Sequence, residues 1–148
     1  MFIGEGQVII RLLVSAILSG LIGLEREAKH KPAGLRTNVL VGVGSTLIML
    51  SSAFVGTQMG GDPGRIATGI VTGIGFLGAG LIIQDRDRVH GITTAGAIWM
   101  VSAIGIAVGI GFYVAAVFAA LLTLFILGFS RDDKIPAAIS NLLGKSKD

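Results

Sequence analysis

The sequence contains no cysteine. That absence removes a disulfide framework, a thiol nucleophile and any Cys-based zinc or iron–sulfur site. Histidine is nearly missing as well, with only His30 and His90, which argues against a histidine-rich metal cage. Charge is the third shortage: 14% of the 148 residues are charged, against roughly a quarter in an ordinary soluble domain. So few charges cannot cover a water-facing globule of this size. A soluble enzyme and a disordered chain are both excluded on that ground. No nucleophile–base pair, P-loop or nucleotide site is legible, so neither catalysis nor a cofactor is expected. No stretch interleaves aromatic with basic residues, and nucleic acid is not an expected partner.

What is present is apolar. Hydrophobic residues make up 52% of the chain, and glycine, at 23 residues, is about double its usual share. A helix needs about 20 apolar residues to cross roughly 30 Å of hydrocarbon. Residues 7–24 give a first span interrupted only by Arg11, and 38–56 and 66–83 give two more without any charge. From Val89 to Ser130 no acid or formal cation occurs, and a single helix of that length would be about 63 Å long. It must fold back, and Gly109-Ile-Gly111-Phe-Tyr113 is the place, with glycine for the turn and tyrosine for the interface. The expected fold is all-α: a compact bundle of five transmembrane helices over residues 1–130, with spans near 93–109 and 112–129 completing it. The N-terminus carries Glu5 where a signal peptide would carry Lys or Arg, so the first span reads as a retained helix.

Basic residues fix an orientation. Arg26, Lys29, Lys31 and Arg36 lie in the first loop, Arg86 and Arg88 in the third, and Arg131, Lys134, Lys145 and Lys147 in the tail. These ten of the chain's twelve Lys and Arg residues share one side. The positive-inside rule then places the N-terminus outside and the C-terminus in the cytoplasm. The tail, 131–148, carries Ile135, Ala138, Ile139, Leu142 and Leu143 at helical spacing behind Pro136. Two readings stand beside each other there, an interfacial amphipathic helix and a frayed end.

Gly73-Ile-Gly75-Phe-Leu-Gly78 matches the dinucleotide fingerprint G-x-G-x-x-G letter for letter. The fingerprint needs a strand before it and an acid about 20 positions on, and neither is here. Packing explains the glycines better. At about 100° per residue Gly69, Gly73 and Gly80 fall within about a 40° arc, with Gly75 and Gly78 on other sides. Small residues let helices approach closely in lipid. The third helix is therefore expected to be central, packed on several sides, with Gly105 and Gly109 giving the fourth another close-packing face. A helix break at the same glycines, able to hold an ion, is the alternative.

Polar groups near the membrane are few enough to weigh singly. Arg11, Ser15 and Ser19 form one stripe along the first helix, which Arg26 extends. Arg11 either snorkels to headgroups or faces the bundle and pairs with a carboxylate such as Asp62. Glu25-Arg26-Glu27 is either a solvated boundary or a carboxylate cluster with Arg36 as counter-ion, lining an inner cavity. Asp62 is placed to cap the third helix and Pro63 to open it, with Arg65 beside them. Asp85-Arg86-Asp87-Arg88 beside His90 reads as a hydrated turn rather than a metal site, since an all-oxygen site needs more ligands. Thr93 and Thr94 are expected to cap the fourth helix. No metal is assigned from these residues.

Three ordered blocks then carry a family likeness. Gly23-Leu-Glu-Arg-Glu27 with Lys31-Pro-Ala-Gly-Leu-Arg-Thr-Asn38 and Gly42 to Ser45 form the first. Ile74-Gly-Phe-Leu-Gly-Ala-Gly80 is the second, and Gly91-Ile-Thr-Thr-Ala95 with Trp99 the third. Over about residues 9–128 the chain resembles the MgtC/SapB family of bacterial inner-membrane proteins. The resemblance implies a link to magnesium homeostasis and stress, exerted through other membrane proteins, the ATP synthase among them. Many members carry a soluble domain after the fifth span, and roles of that domain are not implied for this chain. By motif match the residues to test are Glu25, Arg26, Arg36, Thr37 and Asn38, then Asp62, Arg65, Thr93 and Thr94. The expected partners are the bilayer, a second copy of the chain as a dimer, and another membrane protein. A small oligomeric cation transporter, for Mg²⁺, is the alternative function.

Overall fold

The computed structural model describes residues 4–86 and 88–129, and the expected tail helix lies outside them. Five helices follow one another: α1 (Glu5–Ala28), α2 (Leu35–Met59), α3 (Pro63–Leu81), α4 (Ile92–Ile110) and α5 (Tyr113–Gly128). The first four are long and apolar enough to cross a membrane. The 16-residue α5 would reach about 24 Å within its described length. The chain is an all-α polytopic membrane bundle.

Its turns are made by the residues the sequence singled out. Asp62 accepts a hydrogen bond from the Gly64 amide at 2.7 Å and so caps α3, with Pro63 in the first turn. Gly111, at φ +90°, ends α4 in the left-handed region. The Phe112 amide then donates to the Ala107 carbonyl and the Gly111 amide to Val108, which is the Schellman pattern.

The connection from α3 to α4 differs from expectation. α3 stops at Leu81, where Ile82 turns extended, and two short strands follow: β1 (Ile83–Asp85) and β2 (Arg88–His90). They pair antiparallel, Ile83 opposite His90 and Asp85 opposite Arg88. Gly91 then caps α4 at φ +89°, and an added Cβ there would collide with the Leu81 carbonyl. Thr93 and Thr94 therefore do not cap α4. They lie within its first turn, Thr93 exposed and Thr94 buried.

The largest correction concerns which helix is central. Among the described residues α4 packs extensively against all four other helices, whereas α3 does so against α2 and α4. Half of the α4 span is buried, against 17% of the α3 span. Both apolar cores run through α4. One joins Leu18 and Ile22 of α1 to Val101, Ile104 and Val108 and to Ala116, Ala120 and Leu127 of α5. The other joins Met49 of α2 to Ile70 and Ile74 of α3 and Ile98 of α4. α3 runs as an unbroken helix, so the alternative of a break at its glycines does not hold either.

Candidate functional site

Two features stand out from the apolar background, a charged cluster at one end of α1 and a polar seam that runs inward from it. The cluster begins with the α1–α2 hairpin. Gly23 lets the helices meet, since a Cβ there would sit 2.7 Å from the Leu35 Cα and 3.1 Å from the Asn38 Cβ. The loop between them holds His30 and Ala33 at positive φ, +51° and +59°. Those conformations are uncommon outside glycine, and side chains hold the loop shut. Asn38, fully buried, donates through Nδ2 to the carbonyls of Ala33 at 2.6 Å and Gly34 at 2.8 Å. Glu27 accepts from the Leu35 amide at 2.8 Å, which puts a carboxylate on the positive end of α2.

Beside this loop Arg26 is only 1% exposed. Its guanidinium makes a two-point pair with Glu25, Nε to Oε2 at 2.6 Å and Nη2 to Oε1 at 3.0 Å. Lys29 completes the cluster, with its ammonium 2.9 Å from Glu25 Oε1 and donating to the Leu127 carbonyl at 2.8 Å. Leu127 lies in the last turn of α5, where carbonyls lack helical partners and a cation is favoured. The expected counter-ion Arg36 is not in this cluster. Arg36 and Thr37 lie on the exposed side of α2, and the partners of Glu25 are Arg26 and Lys29.

The other end of α1 repeats the device. Arg11 turns into the bundle, not out to headgroups, and its Nη1 donates to the Gly109 carbonyl at 2.5 Å. Its partner is thus the carbonyl end of α4, not Asp62. Asp62 and Arg65 lie exposed at the start of α3. α1 is latched at both ends by cations on helix C-termini, to α4 through Arg11 and to α5 through Lys29. The sequence carries no sign of this role for Lys29, because a lone lysine at a helix end has no periodic signal.

Between the latches the seam joins α1, α2 and α4. Ser15, Ser19, Thr46 and Ser52 are fully buried, and Ser45 and Ser102 nearly so. Thr46 Oγ1 donates across to the Gly105 carbonyl at 2.8 Å. A Cβ on Gly105 would lie 2.5 Å from the Gly42 carbonyl, one on Gly42 2.6 Å from the Ser19 Cβ, and one on Gly109 2.7 Å from the Met49 Cβ. Gly105 and Gly109 thus pack against α2 as their spacing implied. Gly42, at the centre, belonged to a signature block but not to the expected packing set.

The α3 glycines do something else. A Cβ on Gly69, Gly73, Gly75 or Gly80 would meet nothing within 4 Å, and one on Gly78 would only touch Ala95 at 3.6 Å. Gly69 and Gly73 line a groove of about 400 Å³ with Leu40, Gly44, Ile48 and Leu77, and Phe76 stands exposed on α3. Among the described residues no three His, Asp or Glu side chains come together as a metal site would need.

A helical membrane bundle with a latched first helix, a close polar seam and a bare glycine helix is the class of protein these features define. Residues 12–133 match the MgtC family, and the chain belongs to it. It is 43% identical over 127 residues to YhiD of Escherichia coli (strain K12), whose name describes a putative magnesium transporter. That match covers 82% of this chain and 59% of YhiD. It is also 43% identical to MgtC of Salmonella typhimurium (strain LT2), over 78% of this chain and 49% of that protein. MgtC of Brucella abortus (strain 2308) is 43% identical over 75% of this chain and 44% of its own length. The chain spans about half the length of the curated relatives it matches. No solved structure matches it. These relatives are bacterial, and the chain is a bacterial membrane protein.

Proposed function

We propose that the chain works by helix–helix contact in the bacterial inner membrane, as a regulator or partner subunit in magnesium and stress homeostasis, and that it performs no catalysis. The observation that carries this reading is the α3 surface, where four glycines are packed against nothing in their own chain. Glycine in a helix interior is unfavourable by about 0.5–1 kcal/mol relative to alanine. Four such positions on one helix make sense where another backbone comes close. A second copy of the chain or another membrane protein would supply it. The link to magnesium rests on the name of YhiD.

Gly73→Leu fills the groove between α2 and α3 and blocks close approach. The purified variant is expected to stay folded but to lose its dimer and its co-purifying membrane partners on detergent gel filtration and crosslinking. Retained association in Gly69→Leu and Gly73→Leu would sink this reading.

A small oligomeric Mg²⁺ transporter is the second reading, favoured by the polar seam and by the same name. Proteoliposome flux separates the two: no Mg²⁺ movement is expected, and movement that stops on Arg36→Gln, a change at an exposed residue outside the ion-pair cluster, would overturn the first. The orientation proposed with it, N-terminus outside, predicts that a reporter fused after Asp148 is active only in the cytoplasm.

A further inference from the structure

The seam inside one copy is the most unusual part of the molecule, because hydrocarbon surrounds it and hydroxyl and amide groups fill it. Some of those groups are satisfied locally. Ser19 Oγ donates to the Ser15 carbonyl at 2.6 Å, and Thr46 Oγ1 to the Gly105 carbonyl at 2.8 Å. Three are not. Arg11 Nε and Ser15 Oγ, one turn apart on α1, and Asn38 Oδ1 on α2 are sealed from the surface without a hydrogen-bond partner among the described residues. Ser15 and Asn38 are both 0% exposed, so bulk solvent cannot serve them.

A polar atom at membrane depth takes its partner from protein or from enclosed water. The two groups of orphans flank the tightest point of the seam, Ser15 immediately beside it and Asn38 one turn away. Asn38 precedes Gly42 by one turn on α2. On α1 the Ser15 Oγ adjoins Gly42, 3.3 Å from where a Cβ there would lie, and Arg11 stands one turn further on, at the Gly109 carbonyl. At Gly42 the space closes, since a Cβ on Gly105 would already lie 2.5 Å from its carbonyl. A water molecule is larger than that methyl gap allows.

We propose that the α1–α2–α4 seam binds water in two separate places, at Ser15 and Arg11 and at Asn38, with the Gly42–Gly105 contact as a dry plug between them. At the first place water accepts from Arg11 Nε and exchanges a hydrogen bond with the Ser15 hydroxyl. At the second it donates to Asn38 Oδ1, whose Nδ2 is already used on Ala33 and Gly34. This is the arrangement of a shut polar passage within a single copy. It stands apart from the contact function proposed for α3 and does not depend on it.

Two measurements on the full chain in detergent test it. In the unmodified, isotope-labelled protein, magnetisation transfer from water is expected at the Asn38 carboxamide protons and the Ser15 amide, and not at the Thr46 or Gly105 amides. No transfer at Ser15 and Asn38, or equal transfer at Thr46 and Gly105, would overturn the proposal. The second measurement is a sign. A dry seam leaves the Ser15 hydroxyl unpaired, so Ser15→Ala would raise stability. A hydrated one loses a satisfied group, and the folding equilibrium constant should fall by about fivefold. A rise in the unfolding midpoint of Ser15→Ala is the contrary result.

Discussion

Gly105→Val should destabilise the bundle strongly, while Gly73→Ala should leave it intact. Both replace a glycine within an apolar transmembrane helix, and both would look alike to a propensity scale. The surroundings set them apart. At Gly105 the new Cβ would lie 2.5 Å from the Gly42 carbonyl and 2.9 Å from the Ser45 Cβ. The obstacle is backbone in a seam that already holds three helices, so α2 and α4 would have to separate. The Thr46 to Gly105 hydrogen bond and the Gly109 to Met49 contact would go with that movement. Overpacking a core costs about 1–3 kcal/mol and occasionally more, and this site belongs at the upper end because no flexible side chain can give way. At Gly73 the added methyl meets open space, and alanine gains about 0.5–1 kcal/mol through helix propensity. Unfolding midpoints in detergent check both. Equal losses in the two variants would mean that α3 is packed within the chain after all.

That contrast also marks where sequence reading stops. Charge scarcity and charge-free runs mark five helices, because membrane-spanning length is a coarse requirement that 20-residue windows can test, but they carry no sign of the β1–β2 hairpin between α3 and α4. Asp62 and Gly111 were legible since capping is local chemistry. Centrality was not. α3 has the most regular glycine pattern, yet α4 is the hub, and small-residue spacing alone cannot say whether a face meets its own chain or another. Gly42 has neighbours at Ser45 and Thr46 rather than a second glycine, so its face reads as ordinary polar helix until α1 and α4 are placed beside it. The latches are the clearest case. Arg11 was recognisable as a residue needing a partner, but its partner is a backbone carbonyl on a helix distant in sequence. Backbone carbonyls are present at every residue and so carry no signal in the letters.

Glu25→Gln should be among the most destabilising single changes in the charged cluster, and adding Arg26→Met should restore much of the loss. Arg26 is 1% exposed, and its counter-charge is the Glu25 carboxylate held through two hydrogen bonds. Removing one partner of a fully buried ion pair costs about 3–5 kcal/mol, because the remaining charge stays buried and unpaired; with Glu25 itself 17% exposed, the loss here belongs at or below the low end of that range. Lys29 would lose its carboxylate at the same time, leaving its ammonium on the Leu127 carbonyl alone. The α1–α5 latch would weaken as a result. Replacing the pair by apolar and neutral groups of similar volume is often neutral or better, since the desolvation of both ions disappears with them. The double variant should therefore recover a large part of the midpoint lost in the single one, and a double-mutant cycle measures how much. If Glu25 served only as a solvated boundary residue, Glu25→Gln would shift the midpoint by no more than the 0–1 kcal/mol or so of an exposed pair. A small loss would also remove the case for reading the cluster as the structural anchor of the hairpin. A large loss rescued by Arg26→Met would tie the first signature block to the placement of α1 against α2 and α5, rather than to binding an ion.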